Sequence, residues 1–196
     1  MPDEPTQLDP TTTALLVMDY QPGIVERLPD PDAQLALMER LIAAVRERGA
    51  HFGYVRVAFT DDEIAAIPER SAMAGVAALG SAMHADAAAT QVHDRLAPRE
   101  GDVVVRKRRV GPFSTTDLHE QLRALGVETI VLAGISTSGV VLSTVRDGAD
   151  RDYRIVVLSD ASADPDPEVH EFLTTRIFPR QAAVMTADEF LAHLGE

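Results

Sequence analysis

The chain has 196 residues, of which 45% are apolar and 25% charged, and its net charge at pH 7 is −13. This length and composition are typical of one globular α/β domain, and the negative charge argues against nucleic acid or an anionic membrane surface as a partner. The absence of cysteine excludes disulfide bonds, thiolate metal sites and a cysteine nucleophile.

The first elements are predicted to be a strand, a helix and a second strand. Residues 1–11 are polar and are expected to form a loose lead-in to a single domain over residues 12–196. Residues 14–18 are wholly apolar, which is typical of a parallel strand buried on both faces. Apolar residues recur at helical spacing over residues 32–48, and residues 52–59 form the second predicted strand.

The middle of the chain gives a weaker pattern. Residues 60–100 are rich in alanine and predict short helices, including one near residues 87–96. Residues 102–105 predict a third strand, which leads into four consecutive cations at residues 106–109. We expect residues 60–100 to supply much of any substrate pocket, and their plain composition does not identify the substrate.

From residue 117 onward, helices and strands alternate regularly. Asp117 and Glu120 have the spacing of a capping box at the start of a helix that Gly126 ends. The remaining predicted elements are a strand at 129–133, a helix at 139–149, a strand at 154–158, a helix opened by Asp166 and Pro167, a strand at 182–185 and a helix at 187–194. Six strands alternating with helices predict an α/β, Rossmann-like fold with three αβα layers and a six-stranded, mostly parallel sheet.

Lys107 is the most informative single residue of the sequence. It is the only lysine, beside seventeen arginines. An ammonium is compact and can shift its pKa when buried, whereas a guanidinium stays charged and planar. A lysine kept in so arginine-rich a composition is therefore a candidate functional residue, and a solvated basic strand end is the alternative for Lys107 considered alone.

Three features fall at the carboxyl ends of predicted strands. Asp19 follows the first strand, Lys107 follows the third, and residues 134–140 follow the fourth and open a helix. The ligand crevice of an open parallel sheet lies outside these strand ends. We therefore expect Asp19 and Lys107, at adjacent strand ends, to lie within hydrogen-bonding reach of each other, beside a helix start rich in backbone donors.

Three segments carry a resemblance to a known family. They read Leu-Leu-Val-Met-Asp-Tyr-Gln at residues 15–21, Lys-Arg-Arg-Val-Gly-Pro-Phe at residues 107–113, and Val-Leu-Ala-Gly-Ile-Ser-Thr-Ser-Gly-Val-Val at residues 131–141. With these segments, the sequence resembles the isochorismatase-like hydrolase superfamily, a cysteine hydrolase family that includes the nicotinamidases. The resemblance extends over residues 12–190 and implies the same three-layer fold.

The resemblance also implies a catalytic pair. Asp19 and Lys107 fill two places of an aspartate–lysine–cysteine triad, and Val140 stands in the place of the cysteine. Valine is no nucleophile, so the thioester route of the family's amidases is closed. The isochorismatases proper also lack a nucleophile at that place. For them the resemblance implies acid catalysis, in which the aspartate protonates an enol ether. Lys107 favours an ionised Asp19, suited to a general base, whereas burial favours a protonated one, suited to a general acid, and the sequence leaves both open.

Further site residues follow from the same resemblance. Backbone amides around Ser136 and Val140 would form an oxyanion hole, and a cis peptide bond between Ile135 and Ser136 is implied. Gln21 and Phe113 are implied as substrate-binding positions.

Other chemistries find little support. The hydroxyl residues at 136–138 have no histidine near them in sequence and are favoured as cap and turn residues. The six histidines show no metal-ligand spacing, and no dinucleotide motif is present, so neither a metal nor a cofactor is expected. The arginines of residues 106–109 could bind a substrate carboxylate, with solvated or interface pairing favoured.

Two functions are therefore compared. The first is a small-molecule hydrolase that uses the Asp19–Lys107 pair on an enol ether, amide or lactone without a covalent cysteine intermediate. The alternative is a catalytically silent member that binds a ligand or partner in the same crevice, which Val140 favours. We expect a small-molecule substrate, neither nucleic acid nor a membrane as partner, a homo-oligomer (dimer or tetramer) and a cytoplasmic location.

Overall fold

A six-stranded parallel sheet forms the centre of the fold. The computed structural model describes residues 7–195. The strands, in chain order, are β1 (Thr13–Met18), β2 (His51–Val57), β3 (Val103–Lys107), β4 (Thr129–Ile135), β5 (Arg154–Ala163) and β6 (Ala183–Met185). In space they follow the order β3-β2-β1-β4-β5-β6, and every neighbouring pair is parallel. The predicted Rossmann-like sheet is therefore confirmed.

Helices cover both faces of this sheet. The α-helices are α1 (Pro22–Val25), α2 (Pro31–Glu47), α3 (Asp61–Ala65), α4 (Leu118–Ala124), α5 (Leu142–Ala149), α6 (Pro167–Phe172) and α7 (Ala187–His193). Apolar side chains of α2 and α7 pack on one face, whereas those of α4, α5 and residues 173–178 pack on the other. These are the three predicted layers. No helix within residues 7–195 has both the length and the apolar character needed to cross a membrane.

The central strands place the candidate site in the middle of one sheet edge. β1 lies between β2 and β4, and all six of its residues are buried. β4 is likewise buried along its whole length. A strand covered by helices on both faces needs an apolar residue at every position rather than at alternate ones. The apolar sequence of β1 therefore fixes the position of Asp19, which follows its carboxyl end.

The segment between β2 and β3 has no long helix. After α3 it makes three 3₁₀ segments, Ala74–Met83, Ala88–Thr90 and Asp94–Leu96, so the predicted helix near residues 87–96 is wrong. Tertiary contacts override the helix propensity of the alanines, because the amide of His93 donates to the Tyr20 carbonyl at 2.9 Å, outside any helix. Two polar side chains also hold this segment: Gln21, just before α1, and Arg56 of β2 both donate to the Thr90 carbonyl, at 2.8 and 3.1 Å.

Two other local predictions are corrected. Asp117 precedes α4 but makes no capping box, because its carboxylate accepts from the Gln121 side chain at 2.8 Å instead of from the helix backbone. Residues 7–11 are not loose: Leu8 is buried, and its amide donates to the His193 carbonyl at 2.8 Å. Residues 1–6 of the predicted lead-in lie outside the described residues.

Candidate active site

Asp19 and Lys107 form a buried ion pair at the carboxyl edge of the sheet. Asp19 follows β1, and Lys107 is the last residue of β3 rather than the residue after it. Lys107 Nζ lies 2.9 Å from Asp19 Oδ2, and the two side chains are 4% and 7% exposed. The predicted contact between them is therefore confirmed.

The two strands are nevertheless not neighbours, which corrects the expectation of adjacent strand ends. β2 lies between β1 and β3, and Lys107 pairs with Val57 at the end of β2. The lysine side chain therefore spans the end of β2 to meet the carboxylate. Its flexible four-carbon stem provides that reach, and its compact ammonium fits where a planar guanidinium needs more room.

The backbone at Asp19 is in an unusual conformation for a residue with a side chain. Its φ is 58°, in the left-handed region, which costs roughly 1–2 kcal/mol outside glycine. Two hydrogen bonds hold this turn: the Asp19 amide donates to the Val55 carbonyl, and the Gln21 amide donates to the Asp19 carbonyl, each at 2.8 Å. Strain held in this way is typical of functional sites.

The electrostatic setting of Asp19 favours proton transfer. Burial raises the pKa of its carboxyl from the ordinary 3.8 to about 6, and Lys107 opposes part of that rise. Lys107 Nζ donates both to Asp19 Oδ2 and, at 3.3 Å, to the Arg109 carbonyl. Asp19 Oδ1 is buried and has no hydrogen-bond partner within residues 7–195. The carboxyl thus changes protonation near pH 6, and one of its oxygens accepts no hydrogen bond from residues 7–195.

Gln21, predicted as a substrate-binding residue, has its amide bonded to the protein backbone. Its Nε2 donates to the carbonyls of Val57 and Thr90 at 2.9 and 2.8 Å, and its Oε1 accepts from the Val57 amide at 2.7 Å. The side chain therefore joins the turn after β1 to the end of β2 and to the segment that follows. A substrate-binding role for Gln21 would require it to release these bonds.

The predicted donor segment follows β4. The peptide bond between Ile135 and Ser136 is cis, as the resemblance implied. Residues 137–141 form a π-turn that leads into α5. The Ser138 amide donates to Asp164 Oδ2 at 2.7 Å, and the amides of Gly139 and Val141 donate to the Ser136 carbonyl at 3.2 Å. Three amides of the segment are therefore already used within the protein.

Val140, within this segment, and Phe113 belong to one buried apolar cluster. Val140 is 2% exposed and belongs to the same apolar cluster as Met18, and its carbonyl accepts from the Thr144 hydroxyl at 2.7 Å. The ring of Phe113 stacks on that of Tyr153, with centroids 6.0 Å apart. The substrate-binding role of both residues stays a prediction, since neither lines the two cavities described next.

Two cavities flank α1, the helix that follows Asp19. The larger, of about 550 Å³, is lined by Ser136, Arg27, Asp164 and apolar residues around them. The smaller, of about 280 Å³, is lined by Gln21, Arg27 and residues of the segment 79–90, and the contribution of this segment to a substrate pocket stays a prediction. Asp19 and Lys107 line neither cavity. Gln21, two residues after Asp19, lines the smaller one, and Ser136, just after β4, lines the larger one. A third cavity, of about 530 Å³, lies at the opposite, amino edge of the sheet.

His170 is a site residue that the sequence did not reveal. Its Nδ1 lies 2.8 Å from the hydroxyl of Thr137, which is fully buried in the donor segment. Asp164, which precedes α6, accepts a hydrogen bond from the amide of the neighbouring Ser138. His170 of α6 and Asp164 therefore bond to two consecutive residues of the donor segment. No signal in the sequence links positions 33 residues apart, which is why the hydroxyls were assigned to turns alone.

The cation run beside Lys107 is largely paired. Arg106 makes two hydrogen bonds to the Glu63 carboxylate, at 2.5 and 3.1 Å, and Arg108 lies 3.5 Å from it. Arg106 in particular holds the pKa of Glu63 down at about 2. Two of these arginines thus pair with a carboxylate of the same chain, whereas the sequence favoured solvated or interface pairing. Within the described part of the chain, no three histidine, aspartate or glutamate residues cluster closely enough to hold a metal ion.

Known proteins similar to this chain share one type of domain. Residues 13–189 match the model of the isochorismatase domain. YwoC, an isochorismatase family protein of Bacillus subtilis, is 33% identical over 184 residues, which cover 94% of this chain and 95% of that protein. The ureidoacrylate amidohydrolase RutB of Methylobacterium radiotolerans is 33% identical over 186 residues, which cover 84% of this chain and 72% of RutB.

A solved structure gives the same result in three dimensions. The fold is similar to that of an isochorismatase family protein from Burkholderia thailandensis, with a TM-score of 0.78 and 29% sequence identity. The similarity covers 97% of this chain and 98% of the other.

Proposed function

The chain belongs to the isochorismatase family, and we propose that it is a small-molecule hydrolase whose Asp19–Lys107 pair transfers protons without a covalent cysteine intermediate. The absence of cysteine closes the thioester route. Two routes remain: water attacks the substrate directly, or the substrate is protonated before water adds.

One observation supports this proposal above the others. The buried carboxyl of Asp19 has a pKa of about 6 and an oxygen, Oδ1, to which no residue of the described range 7–195 donates a hydrogen bond. A buried ion pair is weak support for a fold, since desolvation of two charges offsets their attraction. A carboxyl that titrates near neutral pH is suited to moving protons there. The pair therefore fits a chemical role better than a purely structural one.

With an enol ether as substrate, Asp19 acts as the acid. The proton of the neutral carboxyl moves to the terminal carbon of the double bond, and the ether oxygen stabilises the cation formed at the neighbouring carbon. Water adds to that carbon and returns a proton to Asp19. The resulting hemiketal breaks into a ketone and an alcohol as its hydroxyl proton passes to the leaving oxygen. Lys107 stabilises the carboxylate between the two proton transfers.

With an amide or lactone, Asp19 acts as the base. The ionised carboxylate takes a proton from water while the water oxygen attacks the carbonyl carbon. The same proton then passes to the leaving nitrogen or oxygen as the tetrahedral intermediate breaks. Backbone donors of the segment after β4 would stabilise the oxyanion of that intermediate. RutB, an amidohydrolase, makes amides a natural first class to assay.

The dependence of rate on pH separates these routes. If Asp19 is the acid, turnover slows as the pH rises through about 6, because the carboxyl loses its proton. If Asp19 is the base, turnover accelerates over the same interval. Hydrolysis of enol ethers, amides and lactones is followed by mass spectrometry across this range.

Variants of the pair test the assignment. Asp19→Asn keeps the shape of the side chain and removes its titrating proton, so we expect a loss of turnover of about 10²–10⁴-fold. Lys107→Arg is expected to lose most activity, and Arg108→Lys, the reverse exchange at the exposed neighbouring cation, serves as its matched control. Iodoacetamide should leave the rate unchanged, and no covalent adduct should accumulate. Full turnover by Asp19→Asn on a verified substrate would contradict the proposal.

Val140 supports a second candidate function, a silent member of the family that binds a ligand. The buried side chain of Val140 lies at the position where the resemblance places a nucleophile. This alternative predicts that no substrate class is hydrolysed while a small molecule still binds. Isothermal titration of compounds that fail in the hydrolysis assay distinguishes it from the first function.

A further inference from the structure

We propose that the larger cavity beside α1 binds a carboxylate through Arg27, so that the substrate is a small, largely apolar molecule carrying one carboxylate. Calling this molecule a substrate rests on the proposed function, whereas binding itself requires no turnover. A volume of about 550 Å³ lies within the range of small-molecule sites.

The walls of the cavity are mainly apolar. They come from α1 and the turn after it, from the end of β4 and from the prolines before α6: Ile24, Leu28, Pro29, Ile135, Pro165 and Pro167. Sites of this kind fix the orientation of a ligand with a few polar groups placed on an otherwise hydrophobic surface. The polar groups here are Ser136, Asp164 and Arg27.

Asp164 is already engaged by the protein on both of its carboxylate oxygens. Its Oδ2 accepts from the Ser138 amide at 2.7 Å, and its Oδ1 accepts from the Asp166 amide at 3.3 Å. Both oxygens of this carboxylate are therefore used to hold the backbone of the donor segment and of its own loop. A cationic ligand would have to compete with these bonds.

Arg27 is in the opposite situation. Its guanidinium forms no ion pair within residues 7–195, whereas Arg106 pairs with Glu63, and Arg95 pairs with Asp32 and Glu39. A guanidinium presents parallel N–H donors that match the two oxygens of a carboxylate. Among the described residues that line the cavity Arg27 is the cation, so it is the partner of opposite charge for an anionic group that enters.

The position of Arg27 connects this contact to the candidate chemistry. Arg27 lies just beyond α1 and lines both cavities that flank this helix. Ser136, at the start of the donor segment, lines the larger one. A ligand anchored at Arg27 with its body against the apolar walls therefore extends toward the segment that contains Val140.

Binding of a matched pair of probes tests the inference. The probes are 3-phenylpropionate and 3-phenylpropanamide, which have the same shape and differ in charge. Each is titrated into the full chain by isothermal calorimetry and by amide NMR of the labelled protein. We expect the carboxylate to bind at least about tenfold more tightly than the amide, with shifts at the amides of Ile24 and Ser136.

Variants assign the difference to Arg27. Arg27→Met is expected to reduce carboxylate binding to the level of the amide, and Arg27→Lys, which keeps the charge but not the fork, to lie between. Arg154→Met makes the same change of charge at the opposite edge of the sheet and should leave binding unaltered. Circular dichroism checks that each variant is folded.

Three outcomes would overturn the inference: equal affinity for the two probes, unaltered carboxylate binding by Arg27→Met, or no response of the cavity to either probe. Shifts confined to surfaces outside the cavity count as the third outcome. Asp19→Asn should bind 3-phenylpropionate with unchanged affinity. Loss of turnover therefore tests the proposed function, and loss of binding tests the cavity.

Discussion

Replacing Asp19 by asparagine should change how the stability of the protein depends on pH. Below about pH 4 the Asp19 carboxyl is protonated in both the folded and the unfolded chain, so it carries no charge into the core. Between about pH 4 and 6 the unfolded chain releases this proton while the folded chain keeps it. The free energy of unfolding therefore falls as the pH rises through this interval, and above it the full cost of burying the charge is present.

The size of the effect follows from the raised pKa. The interval between the ordinary 3.8 and about 6, at about 1.4 kcal/mol for each pH unit, corresponds to about 3 kcal/mol. The asparagine variant has no titrating group at this position and lacks this dependence. The stability of the unaltered protein relative to Asp19→Asn should therefore decrease by about 3 kcal/mol between about pH 4 and about pH 7.

Urea denaturation of both proteins over this range measures the difference, and titrations of the other groups cancel because both proteins share them. For the control at Glu63, which titrates below this range, the measurements extend down to about pH 2. Glu63→Gln is a control of opposite sign. The bonds from Arg106 lower the pKa of Glu63 from 4.5 to about 2, so its contribution is present above pH 4.5 and is lost as the pH falls toward 2. If the Asp19 difference is constant, Lys107 balances burial, and if it rises with pH, Lys107 outweighs burial; either result refutes the reasoning.

Three further substitutions test other contacts of the site. Lys107→Met should raise the pKa of Asp19 above about 6, because both contributions of Lys107 lower it, and carbon NMR of the carboxyl reports the midpoint; an unchanged midpoint contradicts this. Gln21→Leu leaves the buried amide and carbonyl of Val57 without their side-chain partner, while Arg56 still donates to the Thr90 carbonyl, and should lower the free energy of unfolding by about 2–4 kcal/mol, measured by urea denaturation. A loss below about 0.5 kcal/mol would show that water replaces the amide. His170→Leu should cost about 1 kcal/mol by removing the bond to the buried Thr137 hydroxyl, and equal stability of His170→Leu and the unaltered protein would argue against that bond.

The fold could be predicted from sequence where burial dictates every position. The apolar runs of β1 and β4 allow only a strand between two helical layers, and the carboxyl ends of such strands hold the site. Asp19 was identified for this reason, and Lys107 because it is the only lysine and stands at another strand end, although their contact spans β2 instead of joining neighbouring strands.

Contacts between distant positions could not be predicted. His170 meets Thr137 because α6 contacts the segment 137–141, and Gln21 bonds to backbone groups 36 and 69 residues away. Local spacing contains no trace of either. The helix expected near residues 87–96 failed for the same reason: a bond to Tyr20 outweighs the propensity of the alanines.

The anchoring of the segment between β2 and β3 has a consequence for how this protein evolves. Gln21 and Arg56, which belong to the sheet framework, hold the segment at Thr90, and Arg56 also donates to the Ala85 carbonyl at 3.1 Å. These bonds are made to carbonyl groups, which every residue type possesses. Side chains of residues 79–89 that line the smaller cavity can therefore be exchanged while the anchors remain. Selection can reshape this wall for a new ligand without rebuilding the scaffold that supports it.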